Sequence, residues 1–318
     1  MRIALLLGVF GMACVGLSVA VNGLLTGYPV LTDQAARYAL GGLLLAPLLR
    51  RRPAVRSLRT SDLVRLAALA STGMIGFNLA ILMAERSTEP AAVGVLIGTA
   101  PLVLAVLGAV QAGRRPSGRV VGAAGLVVAG TAVVEGWGHA TALGLLGAVL
   151  AAAGEVLFSL LAAPLVAAFG AVRVTVYACA AATAEALVLG VVLDPGGLAA
   201  RPSGREALAL LYLGVMVTAV AFVCWYTTLS RLGVDRAGLL CGLIPVFTAL
   251  TAPLVGTGRL GLPQLAGSAL VGTAVAIGVS QPSSSTTVST AASGPGSPDG
   301  ATSGSTSVDQ GSRAGAAA

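Results

Sequence analysis

Apolar residues fall in blocks of about 20 along this chain, and polar residues collect between the blocks rather than alternating within them. A helix rises about 1.5 Å per residue, so each block can cross a hydrocarbon core roughly 30 Å thick. Ten blocks are predicted as helices: 3–21, 33–49, 63–84, 91–111, 119–134, 142–166, 172–193, 207–229, 237–256 and 263–280. Helix is the economical reading. An open strand edge would leave backbone groups unsatisfied in lipid, and the blocks lack the two-residue alternation of a barrel.

Composition agrees. Hydrophobic residues make up 56% and charged residues 10%, against about 25% charged in a soluble domain. A water-facing surface cannot be covered with so few charges. The class is an all-α polytopic membrane protein, and the location a cell membrane. The net charge is +7 and every basic residue is arginine. No basic stretch interleaved with aromatics points to nucleic acid, so the charge is read as loop charge. Cys14, Cys179, Cys224 and Cys241 all lie inside apolar blocks without CxxC spacing, as small buried residues do. His139 is the single histidine. A histidine metal cluster and a Ser/His triad therefore lack support, and no cofactor is expected. With no lysine, the phosphate-binding pattern GxxxxGK[ST] cannot occur. Arg2, an apolar run and "SVA" at 18–20 imitate a signal peptide, but cleavage would remove a span that the internal repeat requires.

Loop charge sets an orientation. "RRRPAVRSLRT" (50–60) carries five arginines and "AGRRPSGR" (112–119) carries three, both after even-numbered blocks. The loops "NGLLTGYPVLT", "ERSTEP" and "EGWGHAT" hold one arginine between them. Arg201, Arg205 and Arg259 dissent. The balance places the arginine-rich loops and both termini in the cytoplasm, with Tyr28 and Trp137 near the outer interface. Residues 281–318 are rich in Ser, Thr, Gly and Pro and read as a disordered cytoplasmic tail.

Two blocks carry proline in matching positions. "GVLIGTAPLVLA" from Gly94 aligns without a gap on "GLLCGLIPVFTA" from Gly238. Gly94 meets Gly238, Gly98 meets Gly242 and Pro101 meets Pro245. Downstream, "GTAV" recurs at 130–133 and 272–275. The spans thus divide five plus five, with repeats at 1–136 and 137–280. Five is odd, so the halves enter the membrane from opposite sides, as in the inverted repeats of many secondary transporters.

On these residues the chain resembles the EamA-type transporters of the drug/metabolite transporter superfamily over roughly 3–280. The resemblance rests on "ARYALGGLLLAPLL" (36–49), on the small-residue-then-proline fourth and ninth spans, and on "GAAGLVVAGTAVV" (122–134) and "LAGSALVGTAVAIGV" (265–279). It implies ten transmembrane helices as two inverted five-helix repeats, and export or exchange of small metabolites or amphipathic compounds. Members commonly carry a Gly-Glu pair after the fourth and ninth spans. Here those places read "AGRRPSG" and "GTGRLGLP", with Arg114 and Arg259 near the expected acid.

Several residues are candidates for the substrate cavity or for coupling. Pro101 and Pro245 kink helices at mid-depth and free carbonyls toward a cavity, or serve packing alone. Gly94, Gly98, Gly238 and Gly242 let neighbouring helices approach. Glu155 and Glu185 lie within spans, where an acid costs about 2.5–3.5 kcal/mol and faces a cavity or partner. Either carries a coupling proton, contacts a cationic substrate, or is a protonated structural acid. Arg37 binds an anionic group, pairs with an acid or snorkels to the interface; Tyr38 stands beside it. Asn78 donates to substrate or joins helices. Trp225 and Tyr226 stack on substrate or form an inner aromatic belt. Glu85 and Arg86 read as a solvated rim pair.

The sequence thus points to a secondary transporter working by alternating access, not an enzyme, with a small-molecule substrate and a coupling proton or other ion. A membrane-embedded enzyme acting on lipid or isoprenoid is the alternative. It would need clustered polar groups near one interface, and the internal acids here are few and dispersed. Substrate, direction, coupling ion and oligomeric state, a homodimer included, are left open.

Overall fold

The computed structural model describes residues 2–25, 27–50, 57–87, 90–136, 141–255 and 261–280. Trp137, His139, Arg259 and the tail expected at 281–318 lie outside them. The helices are α1 (Arg2–Asn22), α2 (Val30–Leu49), α3 (Thr60–Glu85), α4 (Val93–Gln111), α5 (Gly118–Glu135), α6 (Ala142–Phe169), α7 (Ala171–Leu193), α8 (Gly204–Leu232), α9 (Val234–Thr251) and α10 (Leu262–Val279). Among the described residues nine helices are long and apolar enough to cross a membrane. The other helix, α2, is 20 residues long but carries Asp33, Gln34 and Arg37 in its first turns, and it is not among the nine.

The surface is apolar. α6 exposes Leu146 and Val149, and α7 exposes Val188, Val191, Val192 and Leu193. Water would penalise so large an apolar surface, whereas lipid tails would not. The four cysteines are buried free thiols inside the bundle.

Packing between the two sets of five helices is reciprocal. α5 packs on α10 and α2 on α7. α1 packs on α8 and α9, while α6 packs on α3 and α4. The fifth helix of each set therefore meets the other fifth, the second meets the second, and each first meets the other third and fourth. Such self-complementary contact is what a two-fold relation generates. The α5–α10 crossing needs two glycines. A Cβ on Gly267 would lie 2.7 Å from the Gly130 carbonyl oxygen, and one on Gly130 would lie 3.1 Å from the Gly267 oxygen. With no side chains in the way, the backbones close on each other, the arrangement by which membrane helices gain contact without a hydrophobic drive.

Irregular backbone also recurs in matching places. α3 is π-helical over Leu69–Gly76, and α8 is π-helical over Leu213–Ala221. α4 is interrupted between Ile97 and Ala100. α9 runs through a 3-10 stretch at Gly238–Gly242 before resuming as α-helix at Leu243. Pro101 and Pro245 each sit in the first turn of the resumed α-helix. There a missing N–H leaves no intrahelical bond unmade, and the fixed φ suits the helix.

Candidate functional site

The first two turns of α2 place four polar side chains inside the protein. Asp33 and Arg37 are each 7% exposed and Gln34 and Tyr38 each 2%. They form a chain. Gln34 Nε2 donates to Asp33 Oδ2 at 3.1 Å, and Arg37 Nη2 donates to Gln34 Oε1 at 2.7 Å and to Tyr38 Oη at 2.9 Å. The Arg37 guanidinium also stacks over the Tyr38 ring, 4.8 Å from its centroid. Asn78 of α3 extends the chain, donating from Nδ2 to Tyr38 Oη at 3.4 Å and to the Met74 carbonyl at 2.6 Å. Three of the expected site residues, Arg37, Tyr38 and Asn78, are thus brought together. Arg37 does not snorkel: it is buried in the bundle.

Beside this chain stands an aromatic cluster from α6 and α8. Tyr226 is fully buried and stacks on Phe158, with ring centroids 5.5 Å apart and an interplanar angle of 30°. Phe222 completes the group, 5.1 Å from Phe158 and 6.1 Å from Tyr226. Gly73, in the π-helical stretch of α3, makes room, since a Cβ there would lie 2.7 Å from Phe158 Cβ. The Tyr226 hydroxyl and the Ser159 hydroxyl are buried without a hydrogen-bond partner among the described residues. Trp225 is 4% exposed, so Trp225 and Tyr226 lie inside the protein rather than on its outer face.

The two internal acids have different neighbours. Glu155 on α6 lies beside Cys241 in the 3-10 stretch of α9. Glu185 on α7 lies near Ser71 in the π-helical stretch of α3. Glu185 and Ser71 line a crevice of about 440 Å³ with Ile75, Leu79, Val188 and Leu189. Val188 is 63% exposed, so the crevice opens on the outer, apolar face of α7. Glu155 and Glu185 do not share a partner.

The glycines of the proline spans face neighbouring helices. A Cβ on Gly94 would meet the Glu135 carboxyl at 2.6 Å, and one on Gly98 would meet Thr131 Cγ2 at 2.5 Å, both on α5. A Cβ on Gly238 would meet Leu104 Cβ of α4 at 2.7 Å, and one on Gly242 would run into Val127 Cγ1 of α5. These four therefore work in packing. Pro101 is buried and Pro245 partly buried, and neither faces outward. Glu85 and Arg86 are exposed at the end of α3.

Sequence reasoning passed over four polar residues. Asp33 and Gln34 were visible as the polar start of an otherwise apolar span. Glu135, packed over Gly94, was visible as the acid closing α5. Asp235 is 2% exposed and pairs with Arg114, Nη2 to Oδ1 at 3.1 Å. No local signal joins those two, which lie in different halves of the chain.

Comparison with known proteins bears on what this arrangement serves. A curated relative from Streptantibioticus cattleyicolor, named "Probable terminal-alkyne amino-acid exporter", is 30% identical over 259 residues, covering 80% of this chain and 83% of the relative. An "Uncharacterized transporter YdeK" from Bacillus subtilis is 31% identical over 252 residues, covering 76% of this chain and 82% of the relative. A solved crystal structure shares the fold with a TM-score of 0.75 at 22% identity, over 86% of this chain and 97% of that one. The model of the EamA-like transporter family matches twice, over residues 2–135 and 142–279. The chain, built of two repeats of membrane helices, belongs to the EamA-like transporter family.

Proposed function

We propose that this membrane transporter is an exporter or exchanger of a small metabolite, working by alternating access between its two five-helix halves, 1–136 and 137–280. The halves are inverted with respect to each other, and the termini and arginine-rich loops face the cytoplasm. The observation that carries the reading is a set of buried polar atoms without partners between helices of both halves: Arg37 Nε on α2, Ser159 Oγ on α6 and Tyr226 Oη on α8. Burying such groups unpaired costs about 1–3 kcal/mol each. A bundle that only had to be stable would gain from apolar side chains there; a carrier needs them for a ligand present in another state. The relative named as an amino-acid exporter supports an amphipathic, amino-acid-like cargo. Glu155, beside Cys241, is the residue proposed to carry a coupling proton.

The test is a metabolite profile of cells lacking the protein and of cells overproducing it. A carried solute accumulates inside in the first case and outside in the second. A changed lipid or isoprenoid pool with no solute moving in opposite directions would favour a membrane-embedded enzyme instead.

A further inference from the structure

Asp33 and Arg37 lie one helical turn apart, so their side chains share one face of α2. Both are buried, and the Gln34 amide bridges them, donating to one and accepting from the other. After those bonds each charged group keeps one buried atom with no partner: Asp33 Oδ1, an acceptor, and Arg37 Nε, a donor. A buried ion pair repays its desolvation only when its remaining lone pairs and protons are satisfied, and here they are not. The missing complement is one cationic donor and one anionic acceptor, held close together and neutral as a pair. An α-amino acid zwitterion is that complement, with ammonium and carboxylate on one carbon.

We infer that Asp33 and Arg37 form the head-group site for an α-amino acid, Arg37 binding the carboxylate and Asp33 the ammonium. The inference rests on the transport reading above and narrows its cargo. A net-neutral ligand adds no charge to the apolar interior, which a lone anion or cation would do. The start of α2 is tied to the segment after α7. Thr32 Oγ1 donates to the Gly197 carbonyl at 2.9 Å, and Tyr28 Oη donates to the Ala200 carbonyl at 3.4 Å. These two bonds fix the first turns of α2, from which Asp33 and Arg37 project, against that segment. Inward from Arg37 the chain continues through Tyr38 to Asn78, toward the aromatic cluster.

The experiment uses the purified full chain in detergent. Thermal stabilisation is measured with the 20 common amino acids and L-propargylglycine, each beside its methyl ester and its N-acetyl derivative. Stabilisation by at least one free amino acid is expected, with about 10-fold or weaker binding of the ester and the N-acetyl form, since each has lost one charge-assisted contact. Arg37→Gln should bind acid and ester alike, and Asp33→Asn should bind the amino acid and its N-acetyl form alike. A merely misfolded variant cannot produce those two opposite changes in preference. Arg37→Lys, which keeps the charge, serves if the glutamine variant does not fold, and should keep part of the preference for the acid. No stabilisation by any amino acid, or equal binding of acid and ester by the unsubstituted chain, overturns the inference. Flux of a different solute would then leave the transport reading standing, whereas absence of any solute flux would remove that reading too.

Discussion

Arg114, just past α4, reaches across to Asp235 in the first turn of α9, with Nη2 and Oδ1 3.1 Å apart. The two ends lie close because Gly108 of α4 has no side chain: a Cβ there would be 2.7 Å from the Asp235 amide nitrogen. The pair is unequal, with Arg114 51% exposed and Asp235 2% exposed. Arg114→Ala strands a buried carboxylate and should cost about 1–3 kcal/mol, whereas Asp235→Asn leaves an arginine that water can serve. The detergent-solubilised Arg114→Ala protein should therefore melt lower than Asp235→Asn. The reverse order would mean that the pair is not what satisfies Asp235.

Substitution at the α5–α10 crossing should separate close-packed glycine from idle glycine. Gly267→Val forces a side chain against the Gly130 carbonyl and Val134, and overpacking of this kind costs about 1–3 kcal/mol. Gly272 lies on the same helix with nothing within 4 Å of an added Cβ. Gly272→Ala should melt within a degree or so of the unsubstituted protein, and Gly267→Val several degrees lower.

Tyr226→Phe removes a buried hydroxyl that has no partner. Relief of an unsatisfied group is neutral or stabilising. The variant should melt at or above the parent temperature while its transport falls, the trade expected where a polar group is kept for function. Equal transport by the two proteins would remove Tyr226 from the proposed cavity.

Glu155→Gln keeps the shape of the side chain and its contact with Cys241 but cannot release a proton. In vesicles, an imposed pH gradient should no longer drive flux through this variant, while exchange down a substrate gradient persists. Gradient-driven flux that survives the change would exclude Glu155 as the coupling residue.

The spans were legible because a hydrocarbon solvent demands long apolar runs, and 18 or more such residues leave little ambiguity. The ends moved by a few residues: α2 begins at Val30 rather than Asp33, and α6 continues to Phe169. The repeat was legible from Pro101 and Pro245, and the exact place of each break was not. A proline inside an apolar run reads as a kink, whereas each lies in the opening turn of a helix that has already been interrupted. The π-helical stretches of α3 and α8 left no mark in the sequence, because no residue type specifies that winding. Arg37 and Glu155 stand out in the sequence because each breaks an apolar run, and the structure buries Arg37. The joining of Phe158, Phe222 and Tyr226, or of Arg114 and Asp235, depends on how helices rotate against one another, which periodicity along a single helix does not carry.

Two matched halves are proposed to carry a solute across the membrane by exposing one site to each side in turn. Counterflow in proteoliposomes tests it most directly. Vesicles holding the purified chain are loaded with an excess of an unlabelled amino acid that stabilises the protein, and a trace of the labelled compound is added outside. Alternating access predicts transient, saturable accumulation of label inside, absent from protein-free vesicles and greatly reduced for Arg37→Gln. Label that equilibrates equally with and without protein, for every solute that binds, would contradict it.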